Sequence, residues 1–86
     1  MLIYILDYKK NSPLKIGKTT RPIKKRLKEL QTGCPHDLRI VATFRANQYF
    51  ERQLHKTFEY CKYKSGGQEW YKRDPTLLSF IESIKK

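Results

Sequence analysis

The apolar residues along this chain follow two periods. Residues 2–8 (LIYILDY) are apolar, β-branched or aromatic on both parities, which predicts a central strand covered on both faces. Lys9, Lys10, Asn11, Ser12 and Pro13 then predict a turn. Residues 14–17 (LKIG) read as a short returning strand, so 2–17 is expected to be a hairpin. Thr19, Thr20, Arg21 and Pro22 open a helix, with Thr20 or Arg21 at the cap, and Gly33 and Pro35 close it. Residues 38–45 (LRIVATFR) read as a third strand. Asn47 is placed to cap a second helix running to about Cys61. Residues 64–68 (KSGGQ) predict a loop, and Glu69, Trp70 and Tyr71 a short extended piece. Asp74 and Pro75 stand as N-cap and first residue of a last helix, whose apolar stripe is Leu77, Leu78, Phe80, Ile81 and Ile84. The expected order is ββαβαα. The connection between the first two strands is too short for a parallel pair. The fold class is therefore α+β: a small, mostly antiparallel three-stranded sheet with helices packed on it.

Helical wheels at about 100° per residue sort the charged side chains. Over 21–31, Ile23, Leu27 and Leu30 cluster within about 60° and face inward. Arg21, Lys24, Lys25 and Lys28 fall opposite, as a basic strip. Arg26 lies about 65° from the apolar centre, at the edge of the buried stripe. An arginine there either snorkels to water or is held with its fork aimed at a phosphate. Over 47–61 the stripe is Phe50, Leu54, Phe58 and Cys61, with Glu51 at its flank and His55 one turn on, on the same side. Glu51 is either half of a surface ion pair or a hard-cation ligand. His55 either packs at the rim or shares a metal with Glu51.

Charge changes the picture. Nineteen Lys and Arg against eight Asp and Glu give a net charge of +11. Residues 1–46 hold +8 of it and residues 47–86 only +3. A domain with that balance is expected to bind polyanions through its N-terminal half, with salt-dependent affinity. With 86 residues the chain forms a single domain with room for one core, so a site on an open surface is expected rather than a deep cavity. No apolar run reaches the 18 or so residues of a membrane span. The opening MLIYIL is short for a signal peptide and has no basic segment before it. Two cysteines, Cys34 and Cys61, make neither a disulfide framework nor a CxxC pair. An intracellular setting follows, whether cytoplasm, nucleus or the host of a virus or phage. Cys61 is expected in the core and Cys34 to be incidental.

Several short motifs then fall in order: Leu2-Ile3-Tyr4; Lys15-Ile16-Gly17-Lys18-Thr19; Arg26 in R-L-K-x-L-Q-T-G; Glu51 in E-x-x-L-H-x-x-F; and Gly67-Gln68-Glu69-Trp70-Tyr71. Together they resemble the GIY-YIG nuclease superfamily over residues 2 to 85, most of all its compact members from phages, large DNA viruses and some cells. Leu2 stands where the first motif has glycine, and Lys15 where the second has tyrosine. Similar nucleases carry a lysine at that second position. The late asparagine of longer members has no counterpart.

The resemblance implies a DNA endonuclease that needs one Mg²⁺ or Mn²⁺ and leaves 5′-phosphate and 3′-hydroxyl ends. It implies Tyr4, Lys15, Arg26 and Glu51 as catalytic residues. Tyr4 activates water with cationic help from Lys15 and Lys18, Arg26 meets the charge on phosphorus, and Glu51 holds the metal. Lys18, Arg21, Lys24, Lys25 and Lys28 hold duplex or structured DNA, and His55 contacts a phosphate or braces Glu51. A homodimer would supply the second cut of a duplex. Two other readings use the same composition: an inactive nucleic-acid-binding domain of the same fold, and an interaction domain for an acidic protein partner.

Overall fold

A computed structural model describes residues 1–33, 36–63 and 70–85. Cys34, Pro35, the 64–68 loop and Glu69 of the sequence reading lie outside the described residues. The elements are β1 (Leu2–Asp7), β2 (Leu14–Thr19), α1 (Ile23–Thr32), β3 (Arg39–Arg45), α2 (Gln48–Thr57), a 3₁₀ turn (Glu59–Cys61), β4 (Trp70–Tyr71) and α3 (Pro75–Lys85). The sheet has four strands in the order β3-β1-β2-β4, every pair antiparallel. This corrects the expected three strands and the order ββαβαα. The extended piece at Trp70 and Tyr71 joins the sheet by pairing with Lys15 and Leu14. Two residues are too few to show a strand period, so only their pairing reveals them.

β1 is central, as its two apolar parities require. Its register defines the two faces of the sheet, because residues directly opposite share a face. On one face Ile5 stands between Ile16 and Ala42. This face carries the core: Ile3, Ile5, Leu14, Ile16 and Tyr71 pack with Leu54 and Phe58 and with Leu77 and Ile81 of α3. On the other face Leu2 lies between Thr19 and Arg45, Tyr4 between Gly17 and Thr43, and Leu6 between Lys15 and Ile40. α1 runs beside this face. At its start Thr19 Oγ1 accepts from the Arg21 amide at 3.0 Å. At its end the Gln31 side chain accepts from the Leu38 amide at 2.8 Å and donates to the His36 carbonyl at 2.6 Å.

The helix ends differ from the expected ones for local reasons. Pro22 is extended (φ −54°, ψ 138°), so α1 starts at Ile23 rather than Arg21. Asn47 caps α2 as expected, its side chain accepting from the Phe50 amide. α2 ends at Thr57, and the tighter 3₁₀ turn carries the chain on to Cys61. A buried carboxylate anchors the turn end of the β1–β2 hairpin. Asp7, 4% exposed, accepts from Arg39 Nε and Nη2 at 2.8 and 3.0 Å and from Arg73 Nη2 at 2.6 Å. Arg73 Nε also donates to the Ser12 carbonyl at 2.7 Å, and Ser12 Oγ accepts from the Tyr8 amide at 3.0 Å.

Candidate functional site

Tyr4 and Gly17 face each other across β1 and β2. The phenol end of the ring fills the space over the glycine: a Cβ placed on Gly17 would be 2.5 Å from Tyr4 Cζ and 2.8 Å from Cε1, and closer still to the hydroxyl. The Gly17 backbone is not in the left-handed region, so glycine is required here for space and not for conformation. The tyrosine is 1% exposed, and its oxygen is hydrogen-bonded to Arg26 of α1. Arginine has only donors, so the phenol oxygen accepts from the guanidinium. Arg26 titrates above its ordinary value, first because of the hydrogen bond to Tyr4, while burial opposes the shift. Its Nη1 lies 3.5 Å from Glu29 Oε1, and its Nε is buried with no partner among the described residues. The helical edge position thus resolves into a held guanidinium with a donor to spare.

Glu51 sits on α2 in a second group. The wheel puts Phe50 in the apolar stripe and Glu51 at the flank, and the structure reverses them: Glu51 is 8% exposed and Phe50 42%. The cause is a set of polar partners under the helix. Glu51 Oε2 lies 2.6 Å from His55 Nε2, and Oε1 lies 3.6 Å from Lys18 Nζ on β2. Phe50 instead meets Phe44 edge-on, centroids 5.6 Å apart. His55 Nδ1 is hydrogen-bonded to the hydroxyl of Tyr71, which is fully buried. If the phenol donates to Nδ1, Nε2 carries the proton that Glu51 accepts. His55 thus stands between the Glu51 carboxylate and the Tyr71 hydroxyl.

The two groups are linked through β2 and stand on opposite faces of the sheet, since Lys18 pairs with core-facing Ile3 and Gly17 with Tyr4. Gly17 belongs to the first and Lys18 to the second, and neighbouring Cα atoms are about 3.8 Å apart. Tyr4 and Arg26 approach that point from the α1 side, and Glu51 and His55 from the α2 side. The other expected residues fall around it. Lys15 shares the sheet face of Tyr4, and its ammonium lies 5.4 Å from the centre of the Trp70 ring. Lys18, expected to help Tyr4, is paired with Glu51, and the cation on the phenol is Arg26. Lys24, Lys25 and Lys28 are exposed along α1. Arg21 is exposed too but forms an ion pair with Glu29. An open hollow of about 370 Å³ at the start of α1 is lined by Leu2, Thr19, Arg21 and Arg45. The sequence reading missed Tyr71, Glu29 and Arg45. The E-x-x-x-H spacing on α2 was visible, but its tie to Tyr71, sixteen residues on, depends on strand pairing.

Glu51 offers one hard oxygen donor not fully engaged, which suits a divalent cation completed by substrate phosphate and water. Among the described residues no three His, Cys, Asp or Glu side chains form a ready-made cage. No helix among the described residues is long and apolar enough to cross a membrane. Compared with known proteins, the chain matches one family model, described as the T5orf172 domain, over residues 1–85. No curated protein and no solved structure matches it.

Proposed function

Because the chain belongs to the T5orf172 domain family, we propose that it is a metal-dependent DNA endonuclease of the GIY-YIG type. The observation that carries the reading is the phenol of Tyr4, held over Gly17 and bound at its oxygen by Arg26. A guanidinium at a phenol oxygen stabilises negative charge there, which suits Tyr4 to take or orient the proton of an attacking water. The Arg26 side chain is about one-third exposed, and the open part of its guanidinium is a donor for a phosphate oxygen as charge builds on phosphorus. Water adds to phosphorus, the bond to the 3′-oxygen breaks, and that oxygen leaves with a proton, giving 5′-phosphate and 3′-hydroxyl ends. Glu51, oriented by His55 and Tyr71, would hold the Mg²⁺ or Mn²⁺. When bound, the ion supplies positive charge at the leaving oxygen. Lys18 then neutralises charge beside the phosphate, and Lys24, Lys25 and Lys28 hold the adjoining backbone.

The test is plasmid nicking at low salt with Mg²⁺, Mn²⁺ or EDTA, comparing wild type with Glu51→Ala and Arg26→Ala. Metal-dependent nicking that both variants lose while still binding DNA supports the nuclease. Wild type that binds and never cuts supports the inactive binding domain, and wild type with no affinity for DNA supports the protein-interaction reading. A homodimer would show as linear product accumulating with the nicked form as protein concentration rises.

A further inference from the structure

The sheet face that holds Tyr4 ends in an aromatic step that the proposed chemistry does not use. Tyr8 follows β1 on the parity of Tyr4 and Leu6. His36 stacks on it, centroids 4.3 Å apart and rings inclined by 14°. Trp70 of β4 meets Tyr8 edge-on at 5.8 Å, and Lys15, paired with both Trp70 and Leu6, carries its ammonium above the Trp70 ring. His36 is exposed, yet it is not loose: its carbonyl and the Leu38 amide are both bonded by the Gln31 side chain. An exposed ring held flat in this way has much of its ordering cost met before anything binds. A histidine stacked on tyrosine contributes little to a core, since neither ring belongs to it.

We propose that the Tyr8–His36 stack, with Trp70 and Lys15 beside it, seats an unpaired nucleobase of the DNA whose phosphate lies at Tyr4 and Arg26. The inference rests on the nuclease reading and goes further, by naming single-stranded or branched DNA as the preferred form. Aromatic faces accept any base, and lysine beside them meets the phosphate between bases. In a duplex the bases are stacked on one another and their faces are not offered. The spacing agrees: Tyr8 is four strand residues from Tyr4, about 13 Å, or about four nucleotides at the 3.4 Å stacked rise. Fewer nucleotides cover it if the strand is stretched. The +8 charge of residues 1–46 supplies the attraction for either form of DNA, and the aromatic step supplies the choice between them.

The test uses fluorescence anisotropy in EDTA at fixed low salt with three labelled probes. They are a thymidine decamer, an abasic decamer with the same phosphates, and a ten-pair duplex. Wild type should bind the thymidine strand roughly 5- to 150-fold more tightly than the abasic strand, the range expected for one stacked base. His36→Ala should erase that ratio and leave duplex affinity unchanged, and His36→Phe should keep it. Equal affinity of wild type for the two single strands, or equal loss on all probes in His36→Ala, overturns the base seat while the nuclease reading stands on the plasmid assay. Absence of binding to every probe overturns both.

Discussion

Replacing Gly17 by alanine tests the site at its tightest point. Ordinary contact between a Cβ and a ring atom begins near 3.4 Å, and the new Cβ would lie 2.5 Å from Tyr4 Cζ. The ring must therefore retreat by about 0.9 Å. It is closed in: Tyr4 is 1% exposed, and Leu6, its neighbour along the same face, is fully buried. Overpacking of this kind costs about 1–3 kcal/mol, so the melting temperature should fall by roughly 4–24 °C at about 4–8 °C per kcal/mol. The displaced phenol also leaves Arg26, so nicking should fall at least as far as it does in Tyr4→Phe. A thermodynamic cycle isolates the cause. In a Tyr4→Ala background the ring is gone, and Gly17→Ala should then cost less than about 0.5 kcal/mol, a strong departure from additivity. The assay is urea unfolding of the four proteins followed by circular dichroism, with nicking rates alongside. If Gly17→Ala costs the same in both backgrounds, the glycine is not there to admit the tyrosine, and the account of the first motif group fails.

Arg26→Lys keeps a charge but loses the fork, so nicking should drop about 10²- to 10³-fold, as for loss of one transition-state donor, while duplex affinity by gel shift changes little. Asp7→Ala leaves Arg39 and Arg73 without their shared acceptor; because Arg39 is half exposed, the cost should be about 2–3 kcal/mol rather than the full value of a buried pair, read from the urea midpoint. Asp74 titrates below its ordinary 3.8, first because Tyr60 donates to it and then because of the Thr76 and Leu77 amides. The folded chain thus binds this proton more weakly than the unfolded chain, so the contribution is complete above about pH 4 and is lost as pH falls through the depressed value; Asp74→Asn should flatten the acid limb of the urea midpoint against pH. Cys61 has its thiol pushed up, first by burial and then by Asp74, so peptide mapping after iodoacetamide at pH 8 should find it unmodified until the protein is unfolded.

Much of the fold was legible because it depends on local pattern. The two apolar parities of residues 2–8 made β1 central, Asn47 was read as the cap it is, and the Asp74–Pro75 start of α3 agrees with its observed first residue. Tyr4 and Arg26 were legible as separate candidates, and their hydrogen bond was not, because a helix wheel gives an angle and no reach. The exchange of Phe50 and Glu51 escaped the sequence for a related reason. A wheel ranks positions by hydropathy, whereas Lys18 of β2 and His55, itself tied to Tyr71 of β4, draw the carboxylate inward. β4 and Tyr71 depended on a pairing too short to leave a pattern. Asp7 read as part of an apolar strand, and its two arginines lie 32 and 66 positions away.

Those separations bear on how the chain becomes a protein. The tie between Asp7 and Arg39 closes a loop of 32 residues, and the tie to Arg73 one of 66. The longer loop costs only about 0.6 kcal/mol more to close, but it cannot close before residue 73 has been made. During synthesis the first hairpin and β3 can assemble around one arginine, with the carboxylate still open to water on its other side. The second arginine arrives later, just ahead of α3, and shuts it in. A product broken off short of that point would keep Tyr4, Gly17, Arg26 and Glu51 in its sequence and lack the clasp that holds the hairpin beneath them. Closing the clasp therefore takes residues 7, 39 and 73 together, which couples the hairpin to a segment made long after it.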